Sequence, residues 1–408
     1  MDLRFGPEYE RFREGLRAFL ARHREGAPRG GMVAAGGSKD PQLLAWQRLL
    51  IEHGYAARTV PKEYGGHGAA PDPLVRVILD EEFARAGVSP GIGGQGPEML
   101  VPTLLEHGSE EQKRRWIAPT IRGEVVWCQG YSEPGAGSDL ASVQTRATPD
   151  GGDWVINGQK IWTTTAHLAD MMFALVRSEP DAGKHAGLSY LLVPMDAPGI
   201  EVRPLATMTG RAEFNQVFFT DVRVPGSNVV GRCGDGWRIA NTTLQHERNA
   251  LASSGQLEAA FTRLSELLAR ETRDGRRALD DPLLRDRLLR LQGRVLAMRY
   301  HALRLLTCRI RREAPGDPGT PAGAAGLVTK LTGCELAHRI DRERGDLVCE
   351  LGTLYDGSPH ERAGGLWQFQ YMFSLGLIIG GGTAQIQKNI IAERGLGLPR
   401  EPRAAETR

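Results

Sequence analysis

Three glycine-bearing runs hold the residues best suited to gripping a ligand. They are Tyr131-Ser132-Glu133-Pro134-Gly135-Ala136-Gly137-Ser138-Asp139, then Asn157-Gly158-Gln159-Lys160-Ile161-Trp162-Thr163-Thr164, and finally Gly380-Gly381-Gly382-Thr383-Ala384-Gln385-Ile386-Gln387. Glycine has no Cβ, so a turn rich in it lets the backbone approach a bound molecule closely. Hydroxyls and amides in these runs can bond the edge of such a molecule, and Trp162 can cover a ring face. Taken singly, such runs also serve as turns of an ordinary β-domain.

Other candidate motifs fail on context. Gly91-Ile92-Gly93-Gly94-Gln95-Gly96 fits G-x-G-x-x-G, but it follows a helical pattern and Pro90 and precedes Pro97. A dinucleotide fingerprint needs a strand, the turn and then a helix, so this segment reads as a flexible loop. Ser253-Ser254 lacks the setting of a nucleophile elbow. Ten histidines are scattered without zinc-ligand spacing, which predicts no metal site. The five cysteines, Cys128, Cys233, Cys308, Cys334 and Cys349, form no C-x-x-C pair. That usage fits reduced, buried packing thiols and a cytoplasmic setting.

The elements that must position the three runs follow from periodicity. Residues 1–121 read as a helical domain, with Phe12, Leu16, Phe19 and Leu20 at helical spacing and further helices at Gln42–His53, Leu74–Ala86, Glu98–His107 and Glu110–Ile121. Residues 122–235 switch to short apolar runs between Gly, Pro, Asp and Asn, a β-domain whose Asp150-Gly151-Gly152-Asp153 segment predicts a hairpin turn. Residues 236–400 return to long helices, at Gly236–Leu268, Pro282–Glu313, Ala322–Arg344 and Gly364–Arg394, with a loop at Pro315–Pro321. The class is α+β. At 408 residues, 41% hydrophobic and 25% charged, the composition is that of a soluble globular chain of two or three domains. A net charge of +2 gives no field that favours nucleic acid or an anionic membrane. No run approaches the ~20 apolar residues of a membrane span, and Met1-Asp2-Leu3-Arg4-Phe5 lacks a signal peptide's apolar core.

The three runs, in this order and along nearly the whole chain, resemble the flavin-binding blocks of acyl-CoA dehydrogenases. The ending Asn389–Pro399 is similar to bacterial members. The resemblance implies an N-terminal helical domain, a middle β-domain and a C-terminal four-helix bundle. It implies FAD as cofactor, an acyl-CoA substrate, an electron-transfer flavoprotein as acceptor and an oligomer. In that family a carboxylate takes the α-proton of the thioester while the β-hydrogen leaves as hydride to flavin N5. A glutamate buried against acyl chain and flavin is expected to have a raised pKa. By the same resemblance Tyr131, Ser132, Gly137, Trp162, Thr164, Thr383 and Gln385 would contact the flavin. Ser138 and Leu244 would line the substrate side, and Arg248 would serve as a ligand contact or a structural residue near the site.

Where many members carry the base, this chain has Gly381. Other members, the isovaleryl-CoA and long-chain types, place it on an earlier helix, and Thr242-Thr243-Leu244-Gln245-His246-Glu247-Arg248 after Gly236-Trp237 matches that alternative. Glu247 is therefore the expected base. Its neighbour His246 points about 100° away around the helix and is given no role. The Gly381 N–H would help hold the thioester oxygen as enolate charge develops. Two further departures concern elements that serve a neighbouring subunit's FAD. Arg270-Glu271-Thr272-Arg273-Asp274-Gly275-Arg276-Arg277 lacks the usual Phe-Gly, and Glu350-Leu351-Gly352-Thr353 stands where a Gly-Gly pair is common. These leave open a homo-oligomer, a half-site or non-catalytic subunit in a mixed assembly with a related chain, and an acyl-CoA oxidase that uses oxygen.

Overall fold

The computed structural model describes residues 5–29, 39–250, 254–273, 275–311, 321–347, 352–355, 357–361 and 363–400. Cys349, Glu350, Leu351 and all but the last residue of the Pro315–Pro321 loop lie outside them. The chain forms two compact units, Met1–Glu247 and Arg248–Arg408.

The first unit opens with helices α1 (Pro7–His23), α2 (Pro41–Glu52) and α3 (Pro73–Ala86). Each begins on a proline, whose missing N–H costs nothing in a first turn. The Asp40 and Asp72 carboxylates cap α2 and α3. Leu16, Phe19, Leu20, Trp46, Leu50, Ile78 and Phe83 share one core. Helices α4 (Val101–His107) and α5 (Glu110–Ile121) follow. The expected loop over Gly91–Gly96 ends sooner than anticipated: from Gln95 to Leu100 the chain makes a π-helical turn. The segment is packed, since a Cβ on Gly96 would lie 2.8 Å from Thr120.

Eight strands then build one sheet: β1 (Trp127–Gly130), β2 (Arg146–Asp150), β3 (Asp153–Thr164), β4 (Met171–Arg177), β5 (Leu188–Pro194), β6 (Ile200–Leu205), β7 (Phe214–Pro225) and β8 (Val229–Val230). The order is β6-β7-β3-β2-β4-β5-β8, with β1 parallel to β4. The two-residue hairpin expected at Gly151-Gly152 joins β2 to β3 with Asp150 opposite Asp153, both glycines at positive φ. Strands β3 and β7 are longer than the short apolar runs suggested, at 12 residues each. Strands β4 and β5 are buried on both faces. One face joins Trp127, Tyr131, Phe173, Tyr190 and Leu192 to residues of α4 and α5. The other joins Cys128, Met172, Ala174 and Val193 to Ile156, Val217 and Val224. Helix α6 (Gly236–Ala250) presents Ile239, Ala240 and Leu244 to the first face.

In the second unit α7 (Ser254–Arg270), α8 (Pro282–Ile310), α9 (Pro321–Leu347) and α10 (Leu366–Ile379) make the helical bundle, with α9 touching the other three. Leu257, Leu264, Leu268, Leu288, Leu291, Val295, Leu336 and Ile340 fill its core at helical spacing. The single helix expected over Gly364–Arg394 is broken. Gly381 and Gly382 take φ of +63° and +93°, and a new helix, α11 (Ala384–Ile390), starts behind Thr383. The expected Gly236–Leu268 helix is helical over α6 and α7 where it is described. Between them, 251–253 lie outside the described residues. Within the Arg270–Arg277 segment, Thr272–Arg273 pairs antiparallel with Arg276–Arg277. No described helix is long and apolar enough to cross a membrane.

Candidate active site

Two of the three runs meet in the first unit, and an ion pair joins them. The loop Tyr131–Asp139 closes on itself through the backbone of Glu133 and Ala136, which exchange hydrogen bonds of 3.0 Å. The Ile161 N–H donates to the Ser132 carbonyl at 2.9 Å, tying the loop to β3. Beneath it lies the fully buried Lys160, whose ammonium donates to Glu133 Oε1 at 2.7 Å and to the carbonyls of Leu175 (2.7 Å) and Tyr131 (3.1 Å). The Glu133 carboxylate also accepts the N–H groups of Thr145 (2.9 Å) and Gln144 (2.6 Å). Burial pulls the Lys160 pKa down to about 8 against the pull of Glu133. For Glu133 burial acts upward, but Lys160 and the two donors hold it below the usual carboxylate value. Both members are thus charged at neutral pH, and each supplies what the other needs to be buried.

The clamp leaves other groups of the same runs free. The hydroxyls of Ser132 and Thr164 are half-buried and make no hydrogen bond among the described residues. Gly137 and Ser138 are exposed. A bulge between Lys160 and Thr163 breaks the β3–β7 register and turns Trp162 outward at φ +59°, leaving it 58% exposed with its edge toward Phe214. A large aromatic at positive φ is a costly conformation. Unpartnered hydroxyls, an outward indole and an open glycine turn fit a planar, polar-edged ring such as a flavin. Tyr131 is placed differently. Its ring is buried in the core, and its carbonyl is taken by Lys160.

Glu247 is half-buried at the end of the first unit, one turn beyond the buried Thr243 on α6. Its Oε2 accepts from the Gln129 side-chain amide at 3.4 Å. Leu244 packs against the core. His246, on a different part of the helix, is held below its ordinary pKa by burial, with Glu106 acting the other way. The Arg248 side chain lies outside the described residues.

The third run belongs to the second unit. The Lys330 ammonium, buried on α9, donates to the Gly382 carbonyl at 2.7 Å, and the Gln387 amide donates to the Gly381 carbonyl at 3.2 Å. The Gly381 N–H has no partner among the described residues. Thr383 accepts from the Ile386 N–H as the N-cap of α11, which leaves its own proton for a ligand. Gln385 is exposed.

Sequence reasoning missed Glu133, Lys160, Gln129 and Lys330 as site residues. A signal existed for one pair, a carboxylate within the glycine loop and a lysine flanked by apolar and aromatic strand residues. Lys330 gave none, because a lone lysine on a helix is usually solvated.

Three family models match the chain. They are the acyl-CoA dehydrogenase N-terminal domain over residues 6–124, the middle domain over 128–222 and the C-terminal domain over 234–396. Acyl-CoA dehydrogenase IpdE1 of Mycobacterium tuberculosis is 42% identical over 402 residues, covering 97% of this chain and 99% of the relative. Among solved structures, the Tcur3481-Tcur3483 steroid ACAD has a TM-score of 0.79 at 31% identity, covering 98% of this chain and 100% of that one. The ChsE4-ChsE5 complex of M. tuberculosis gives the same TM-score, identity and coverage. This chain belongs to the acyl-CoA dehydrogenase family of flavoprotein oxidoreductases.

Proposed function

We propose that the chain catalyses FAD-dependent α,β-dehydrogenation of an acyl-CoA thioester to the trans-2-enoyl-CoA. The observation that carries this reading is Glu247, held half-buried by Gln129, in a chain that has glycine where many members carry their base. Glu247 takes the α-proton. A bound flavin would supply the hydride acceptor at N5 and pass the electrons to an electron-transfer flavoprotein. Ser132, Thr164, Thr383 and Gln385 would bond the cofactor, Trp162 would cover its ring, and Gly137 would leave room for it. The Gly381 N–H would stabilise the developing enolate oxygen, with Ser138, Leu244 and Arg248 on the substrate side. Likeness to a structure titled a steroid ACAD supports a bulky, ring-bearing acyl group.

A second reading keeps the chemistry and changes the assembly. Two similar structures carry two-subunit names, and this chain departs from the family at Arg270–Arg277 and Gly352-Thr353. Both observations favour a mixed oligomer in which a related subunit completes FAD binding. The test is the visible spectrum of the chain expressed alone, before and after anaerobic addition of acyl-CoAs. Bound flavin that bleaches with one substrate class supports an autonomous enzyme. A colourless protein with added FAD points to the partner. Glu247→Gln protein that retains flavin but loses turnover supports the base, and full turnover would overturn it.

A further inference from the structure

A cluster of buried hydroxyls beside Glu247 has no part in the reaction as drawn. Tyr190 on β5 meets Thr243 Oγ1 on α6 at 3.3 Å, Thr243 meets Thr103 Oγ1 on α4 at 3.0 Å, and Thr103 donates to the Met99 carbonyl at 2.7 Å. Tyr131 joins this group. Its ring stands edge-on to Phe173 and Tyr190, with centroids 6.0 and 6.3 Å away. Its hydroxyl is fully enclosed beside the Thr243 and Tyr190 hydroxyls and meets no partner within hydrogen-bonding geometry among the described residues. An enclosed hydroxyl without a partner is unfavourable, and its surroundings must offset that cost.

Two periodicities place Tyr131 on the side of the sheet that faces Glu247. Along β1 and its continuation, Trp127, Gln129 and Tyr131 alternate onto one face, and Gln129 already reaches Glu247. Along α6, Thr243 and Glu247 are four residues apart and share a face, and Thr243 already reaches the tyrosine cluster. Burial first, then Tyr190 and the nearby charge of Glu247, raise the Tyr131 pKa well above its usual value.

We propose that Gln129 and Tyr131 are positioning residues for Glu247, Gln129 holding its carboxylate through the side-chain amide and Tyr131 offering its enclosed hydroxyl on the same face as a second donor when the site is loaded. The inference rests on the reading of Glu247 as the base. It deepens that reading by naming what fixes a carboxylate at the end of a helix with no carboxylate at 381. The titratable neighbours are Tyr131 and Tyr190 from the sheet, His246 on α6 itself, and Glu106 and His107 at the end of α4, where His107 contacts Thr242.

The test follows the Glu247 carboxyl through its titration in FAD-loaded protein. Its infrared band is isolated as the difference between each protein and the same protein carrying Glu247→Gln. Tyr131→Phe removes only the hydroxyl and keeps the ring packing. Gln129→Ala removes the amide on a half-buried position. Donors to a carboxylate favour its charged form, so each substitution should move the midpoint up by about one pH unit. A residue that only fills space would leave it unmoved, and a midpoint unmoved in both variants overturns the proposal. Turnover of the Glu247→Gln protein reports on the base alone. Full activity there, with midpoints shifted as expected, would remove the catalytic reading and leave the positioning intact.

Discussion

The chain fixes its two glycine-rich candidate loops with buried lysines, but in different ways. In the first unit Lys160 holds the Tyr131–Asp139 loop through a carboxylate, Glu133, and two strand or loop carbonyls. In the second unit Lys330 holds the Gly380–Thr383 turn through the Gly382 carbonyl, with the Ile378 carbonyl at the limit of reach, 3.5 Å. The first device joins the loop to the entry of a sheet, where the Glu133 carboxylate takes the N–H groups of Gln144 and Thr145 ahead of β2. The second sits at the C-terminal end of a helix, where unpaired carbonyls are plentiful and attract a cation directly. A loop at a strand edge needs an anion and a cation, whereas a turn at a helix end brings its own acceptors.

The largest expected effect comes from breaking the first device. Lys160→Met leaves the Glu133 carboxylate buried without its cation and should cost about 3–5 kcal/mol, read as a lower denaturant midpoint. Lys330→Met removes a cation from carbonyls that retain other routes to satisfaction, and should cost about 2 kcal/mol. Equal losses from the two would erase the distinction. Smaller again is Gly382→Ala. At φ +93° a Cβ is strained, and it would lie 2.6 Å from the Gln387 amide, a movable side chain. The expected loss is about 1–2 kcal/mol, with the Gln387 contact to the Gly381 carbonyl weakened.

The same contrast explains what could be read in the sequence. Helices of the first 121 residues, the β-domain and its Gly151-Gly152 hairpin were legible, because each leaves a periodicity or a turn signal in consecutive residues. The Gly380–Thr383 break was not. The apolar run Leu375–Ile379 and the following Ala384–Ile390 both read as helix, and only the positive φ of two glycines separates them. Glu247 stood out as a candidate through its motif, but Gln129 and Lys330 did not. Their roles depend on partners 118 and 52 residues away, and no local pattern records a contact across the fold. Trp162 was legible as a ring-bearing candidate, yet its outward turn depends on a bulge that pairing with β7 creates.

The smallest expected effect is pH-linked, and it belongs to the first device. Glu133 has a folded pKa below its unfolded value, so its stabilisation is complete above the unfolded value and is lost as pH falls through the folded one. Lys160, depressed to about 8 from its ordinary 10.5, acts in a different pH range. Below about 8 its charged form is disfavoured by folding, and that cost is relieved as pH rises toward the unfolded value. Stability from the pair therefore falls on the acid side through Glu133 and rises on the alkaline side through Lys160. Denaturant midpoints of wild-type and Glu133→Gln protein, measured from neutral pH downward, should converge once the carboxylate is protonated, because a neutral glutamic acid and a glutamine then face the same ammonium. Midpoints that stay parallel through the acid range would mean that the loop is held by its backbone bonds, as the turn at the helix end is, and that the two devices are one.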